Sequence, residues 1–203
     1  MSQRWEPLLE GDVDPDPFVQ FARWYDDAAT VMDSPEAMAV ASVGPEGQPS
    51  VRMVLLKQWG EDGFVFHTNY ASRKGRELTE HPLAALLLYW EPRGRQVRIE
   101  GAIGPTTADE SDAYFATRPH GGQIGAHASH QSEVVASRDE LDLRVRALES
   151  EFEGRPVPRP PWWGGLRVRP HSFEFWQNRQ DRLHDRLLYT PGDGGWRIER
   201  LQP

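Results

Sequence analysis

Three short apolar runs between residues 37 and 69, AMAVASV, PSVRMVLLKQW and FVFHTN, are separated only by GPEGQ and GEDG. Runs of this length joined by Gly-containing connections are the signature of a β-meander. Two more strand-like runs, LAALLLYW and RQVRIEGAIG, follow across EPRG, and the chain closes on LRVRPHSFEFWQ, RLHDRLLY and GWRIERLQP. Helical patterns sit between them. In DPFVQFARWYDDAATVM, Asp16 is the expected cap, Pro17 suits the first turn, and Phe18, Phe21, Ala22 and Tyr25 recur at helical spacing. SRKGRELTEH opens at Ser72 and closes at Pro82, and TADESDAYFATR stops before Pro119. SRDELDLRVRALESEFEG reads as an amphipathic helix with Ser137 as cap and Glu140 completing a capping box. Strands and helices do not alternate regularly, which disfavours a doubly wound parallel sheet. The expected fold is mainly β: a mostly antiparallel barrel with peripheral helices, residues 16–203 forming one domain and residues 1–15 a flexible N-terminal arm.

At 203 residues the chain is long enough to bury a core without staples. A net charge of -8 argues against a broad nucleic-acid surface, so any basic cluster is local and addressed to a small anion. The absence of cysteine removes disulfides, thiolate metal sites and a cysteine nucleophile, and suits a reducing compartment. The first residues carry no apolar signal core and no window approaches a membrane span, so a cytoplasmic protein is expected.

No dinucleotide, Walker, nucleophile-elbow or zinc-protease motif is present. His127 and His130 in AHASH lack acidic or thiol ligands at useful spacing, and no metal site is expected. Arg73 and Lys74 stand in the first turn of a helix, where cations oppose the dipole. Alone they read as solvated surface charges; with a phosphate at the helix start, backbone N–H groups and both side chains would converge on it. Tyr114 and Arg118 share one helix face, as a surface pair also would. Arg52 amid Val and Met needs a partner, and by strand parity it points away from Lys57 unless a bulge, a strand end or a second subunit intervenes. Trp176 by itself reads as core. Read as a strand, NRQDRLHDRLLY puts Arg182, His184 and Arg186 on one face and Leu183 and Leu187 on the other. Together Arg52, Lys57, Arg73, Lys74, Arg118, Arg182 and Arg186 are many cations at sheet edges and helix ends of an acidic chain, which suits two phosphate-bearing ligands.

The ordered motifs RMVLLK, HTNYASRKGREL, RQVRIEG, YFATRP, QIGAHASHQS, WWGG, EFWQ, RLHDR and RLQP closely resemble the pyridoxamine 5'-phosphate oxidase family from about residue 16 onward. The resemblance implies a homodimeric, FMN-binding split β-barrel with each flavin between two subunits. It implies oxidation of pyridoxamine or pyridoxine 5'-phosphate to pyridoxal 5'-phosphate, with O2 reduced to H2O2. Carried over by position, Arg52, Met53, Val54, Leu55, Leu56 and Lys57 line the FMN site, as do His67 and Thr68. Arg73 and Lys74 clamp its phosphate, Gln96 bonds the flavin ring, Gln131 and Ser132 reach FMN from the partner subunit, and Trp176 and Arg186 complete the pocket. Lys57, Tyr114 and Arg118 hold the substrate phosphate, while Arg182, Leu183 and His184 lie over the pyridine ring, with Arg182 and His184 catalytic. Three positions depart from the pattern: His67 stands where Tyr or Phe is usual, Gly122 where a Ser is frequent, and MSQRWEPLLE lacks the family's basic and aromatic lid. The rival readings are a phenazine-type flavin oxidase of the same superfamily and a non-catalytic flavin- or PLP-binding module.

Overall fold

The computed structural model describes residues 5–203. In chain order it contains α1 (Pro17–Ala29), β1 (Ala37–Val43), β2 (Pro49–Leu55), β3 (Gln58–Gly60), β4 (Gly63–Asn69), α2 (Arg73–Glu80), β5 (Leu83–Trp90) and β6 (Arg95–Pro105). α3 (Ala108–Ala116), α4 (His120–Ala128), α5 (Arg138–Glu151), β7 (Trp163–Gln177), β8 (Asp185–Gly192) and β9 (Gly195–Leu201) complete it. One antiparallel sheet runs β2-β1-β5-β6-β7-β4-β3, and β8 and β9 extend it from β7. Past the end of β2 the chain crosses to the far side of the sheet, where the Lys57 N–H donates to Val65 O at 2.8 Å. That bond curls the sheet into a half-barrel.

The inward face carries the core. Met38 and Val40 of β1, Phe64 and Phe66 of β4, Leu86 and Leu88 of β5, Val97 and Ile99 of β6, and Phe173 and Phe175 of β7 are all fully buried, on alternating positions of their strands. α1 plugs the barrel. The Asp16 side chain accepts from Phe18 N at 2.8 Å, Pro17 starts the first turn, and Phe21 meets Phe64 edge-on with ring centroids 4.9 Å apart. β6 and β7 form the longest pair, with a bulge at Glu100/Gly101. A side chain at Gly101 would lie 2.1 Å from Arg169 O, so the bulge admits glycine alone. A second small core, Phe115, Ile124, Ala126, Val157 and Trp163, joins α3 and α4 to the rim.

Several elements differ from the sequence reading. PSVRMVLLKQW breaks after Leu55, because the crossing to β4 turns the chain at Leu56 and Lys57. α4 arises in HGGQIGAHA, whose glycines hid a helix held by packing of Ile124 and Ala126. Only the Ser137 half of the expected capping box forms on α5; the Glu140 carboxylate pairs with Arg144 instead. RLHDRLLY is a strand only from Asp185, and Gln180–Arg182 form a 3-10 turn. The described part of the N-terminal arm is tied to the domain at particular points: Leu8 is buried, its N–H donates to Asp185, and Glu10 pairs with Arg200. Residues 1–4 of that arm lie outside the described residues.

Candidate active site

The end of β2, the middle of β4, the start of α2 and the α3–α4 corner enclose a cavity of about 590 Å³, within the ~300–1,000 Å³ typical of small-molecule sites. Lys57, Lys74 and Arg118 line it, and none of the described lining residues is Asp or Glu. Three cations without a carboxylate, in a chain of net charge -8, make a site for an anion.

Each cation is placed by its element. Lys57 sits in the irregular link after β2, so strand parity no longer governs its direction. Lys74, on the first turn of α2, donates from Nζ to Thr68 Oγ1 at 3.0 Å and Gln131 Oε1 at 2.9 Å. Burial, then the charge of Arg52, lowers its pKa. Arg118 follows α3, and its guanidinium lies 4.6 Å from the centroid of the Trp163 ring. Burial lowers its pKa, and its buried Nη1 has no hydrogen-bond partner among the described residues. An unpaired buried guanidinium N–H is costly and marks the place of a missing acceptor. A Cβ at Gly122 would stand 3.4 Å from this guanidinium, so packing does not by itself demand glycine there.

One wall is a stack of rings. His67 lies 3.8 Å from Tyr114 with an interplanar angle of 17°, and 5.2 Å from Trp163 at 16°. Burial, then Arg118 and Lys57, pushes the His67 pKa down to about 4, so the ring is neutral at pH 7. Burial raises the pKa of Tyr114, which keeps its hydroxyl proton.

Arg52 and Arg73 do not line the cavity. Both turn to Glu77, a buried carboxylate that accepts from Ser42 at 2.6 Å, Ser50 at 2.5 Å, Arg73 Nε at 2.7 Å and Arg52 Nη2 at 3.2 Å. Burial alone would raise the Glu77 pKa, but these hydrogen bonds together hold it at about 2. The partner that Arg52 requires is therefore internal. Gln131 and Ser132 also differ from expectation: they join Lys74 and Arg73 within one chain, where Ser132 Oγ accepts from Arg73 N at 3.1 Å. The loop after α4 ends beside the start of α2, and no partner subunit is needed to bring them there.

The remaining candidates form a second cluster. Gln96 faces Trp176 across β6–β7, and Trp176 faces Arg186 across β7–β8. Arg186 is not a free cation: Nε and Nη2 bond the buried Glu174 at 2.7 and 3.0 Å. The His184 ring packs 4.6 Å from Trp176, while Arg182 and Leu183 are exposed. Arg182, His184 and Arg186 do not form a strand face, because Asp181 and Arg182 both have positive φ (58° and 61°) and break the alternation. None of this cluster lines the cavity. Gly165, opposite His67, precedes Trp176 on β7 by a stretch that spans roughly 35 Å at ~3.3 Å per residue. Within one chain the clusters do not meet.

They share a sheet face, however. Met53–Ala39–Leu87–Arg98–Glu174 lie opposite one another across five strands, and Tyr89–Gln96–Trp176–Arg186 form the adjacent row on the same side. Val51, Met53 and Leu55 of β2 and Tyr89 of β5 leave this outward face apolar and exposed in one chain, the mark of an interaction surface.

Sequence reading had no account of Glu77, Glu174 or the Trp163 ring. Glu77 carried one signal, its i,i+4 spacing from Arg73. Glu174 carried another, as an acidic residue amid SFEFW.

A half-barrel with a cationic, carboxylate-free cavity and a polar cluster on an apolar outer face defines a split-barrel protein whose cavity suits a small anion. Residues 26–152 match the family model described as pyridoxamine 5'-phosphate oxidase, and residues 163–203 match the pyridoxine 5'-phosphate oxidase C-terminal dimerisation region. The chain belongs to the pyridoxamine 5'-phosphate oxidase family. It is 57% identical over 197 residues to the pyridoxine/pyridoxamine 5'-phosphate oxidase of Rubrobacter xylanophilus, covering 97% of this chain and 91% of that one. The protein of the same name from Burkholderia multivorans is 55% identical over 200 residues, covering 97% and 93%. Among solved structures, PhzG from Burkholderia lata, in complex with tetrahydrophenazine-1-carboxylic acid, superposes with a TM-score of 0.91 at 34% identity, covering 99% of this chain and 100% of that one.

Proposed function

We propose that the protein is an FMN-dependent oxidase that converts pyridoxamine or pyridoxine 5'-phosphate to pyridoxal 5'-phosphate, with O2 as acceptor and H2O2 as product. The observation that carries this reading is the cavity with Lys57, Lys74 and Arg118 and no carboxylate. The unpaired Nη1 of Arg118 supports the fit of a phosphorylated ligand, because it offers a charge-assisted donor that nothing described in the chain uses.

Bound FMN would supply the acceptance of two electrons and their return to O2. The chain's own residues bind and orient. Lys74, with Gln131 and Ser132 beside the start of α2, holds the flavin phosphate, and Glu77 keeps Arg52 and Arg73 beside them. Thr68 and the neutral His67 would form one wall of the flavin site, with Met53, Val54 and Leu55 beside them; Leu56, expected in the same row, is instead buried in the barrel core. Lys57, Tyr114 and Arg118 anchor the substrate phosphate at the other end. Gln96, Trp176 and Arg186 come from the second subunit, together with Arg182, Leu183 and His184, which cover the pyridine ring. The cationic surroundings favour the neutral form of the substrate amine, the form from which hydride departs readily.

The likeness to PhzG favours a second reading, oxidation of a reduced tricyclic carboxylic acid. One experiment separates the two. Anaerobic addition of pyridoxamine 5'-phosphate to the purified yellow protein bleaches the flavin band under the first reading. An unchanged spectrum, with bleaching by tetrahydrophenazine-1-carboxylic acid instead, establishes the second.

A further inference from the structure

Asp181 and Arg182 are consecutive non-glycine residues in the left-handed region. Such a pair is strained and persists where its surroundings over-determine it. The surroundings come from the two ends of the chain. Before the turn, Asn178 N donates to Gly94 O at 2.7 Å, and a Cβ at Gly94, whose φ is +57°, would lie 2.5 Å from the Trp5 indole. Arg179 Nη1 donates to Trp5 O at 2.7 Å, and its Nε lies 3.4 Å from Asp185 Oδ2. After the turn, the Asp185 carboxylate accepts from Leu8 N at 3.1 Å and Arg200 Nη1 at 2.8 Å. Arg200 in turn bonds Leu8 O and Glu10. Across the turn, Arg179 N donates to His184 Nδ1 at 3.2 Å.

That last bond has a chemical consequence. A ring nitrogen that accepts from a backbone N–H carries no proton, so a neutral His184 holds its proton on Nε2. We propose that Arg179 and Asp185, with the strap of residues 5–10 that they tie down, are positioning residues for His184, holding its ring as the Nε2–H tautomer so that it meets a ligand as a hydrogen-bond donor. The strap acts through the turn: it fixes Arg179 and Asp185 on either side of the strained pair, and the Arg179 N–H then fixes the ring. The ligand group recognised is an acceptor atom, such as a phenolate oxygen or a neutral amine. The catalytic consequence rests on the reading of His184 as a contact of the substrate ring; the tautomer does not.

The test uses full-length holoprotein labelled with 15N-histidine, with His184 assigned from the loss of its signals in His184→Asn. Long-range proton–nitrogen correlation is expected to show one His184 species, protonated at Nε2 and bare at Nδ1. Asp185→Asn, Arg179→Ala and a variant lacking residues 1–10 are each expected to show mixed tautomers. Their turnover of pyridoxamine 5'-phosphate should fall roughly 10- to 100-fold, while the flavin stays bound after dialysis. A wild-type ring protonated at Nδ1 overturns the proposal, whatever the variants do. So do variants that fold, keep the single Nε2–H species and turn over like wild type. If the tautomer responds as expected but wild type does not oxidise pyridoxamine 5'-phosphate, the positioning role stands and the oxidase reading fails.

Discussion

His67 shows how much one side chain's surroundings decide. In the unfolded chain an imidazole titrates near its ordinary 6.5, whereas in the fold His67 titrates at about 4. Between those values the unfolded state binds a proton that the native state refuses, so acid selectively stabilises the unfolded chain. Stability contributed at this position is intact above about pH 6.5 and is lost as pH falls toward 4. His67→Phe keeps the ring stack with Tyr114 and Trp163 and removes the proton. The wild type should therefore lose more stability between pH 7 and pH 5 than His67→Phe does, as read from urea midpoints. Equal losses in both proteins would show that His67 is not held neutral. Glu77 illustrates the opposite direction: its carboxylate is ionised down to about pH 2 because four side chains donate to it, and it fixes both arginines.

Among the elements, α1 is the one whose sequence and role agree most closely. Its cap, its first-turn proline and its apolar spacing are all local, and Gln20, Phe21, Trp24 and Ala28 form the buried stripe that closes the barrel. Phe21 is fully buried among Phe64, Trp59 and Trp90. Phe21→Ala should cost about 3–5 kcal/mol of unfolding free energy, measured by urea denaturation of the flavin-loaded protein. A loss below about 1 kcal/mol, typical of surface changes, would mean that α1 is not part of the barrel core. By contrast α4, with three glycines in nine residues, owes its helix to the packing of Ile124 and Ala126 and not to propensity.

For the whole molecule, the decisive fact is that the cavity and the Gln96–Trp176–Arg186 row are separated within one chain yet share one outward face. Under the proposed function, a second copy laid on that face would bring one chain's row to the other's cavity and would cover the exposed Val51, Met53 and Leu55. Val51→Glu tests this, since Val51 lines neither the cavity nor the second cluster. A carboxylate buried at that contact should weaken dimerisation by roughly 100-fold or more, with parallel loss of retained flavin. Light scattering and the visible spectrum report the two together. A Val51→Glu protein that stays dimeric and yellow places the interface elsewhere.

Strand runs, helix starts and turn glycines were legible in the sequence because period, caps and φ requirements are decided within a few residues. Asp16, Ser72 and Ser137 cap the helices they were expected to cap for that reason. The clustering of cations was legible too, as a count. Which of them face a ligand was not. Arg52 and Arg186 are claimed by Glu77 and Glu174, while Lys57, Lys74 and Arg118 are left to the cavity. The strap that ties Leu8 to Asp185 and Glu10 to Arg200 joins the two ends of the chain. Charge partners and strained turns are chosen by which segments the sheet order makes neighbours, and that order is a property of the folded chain, not of any window along it.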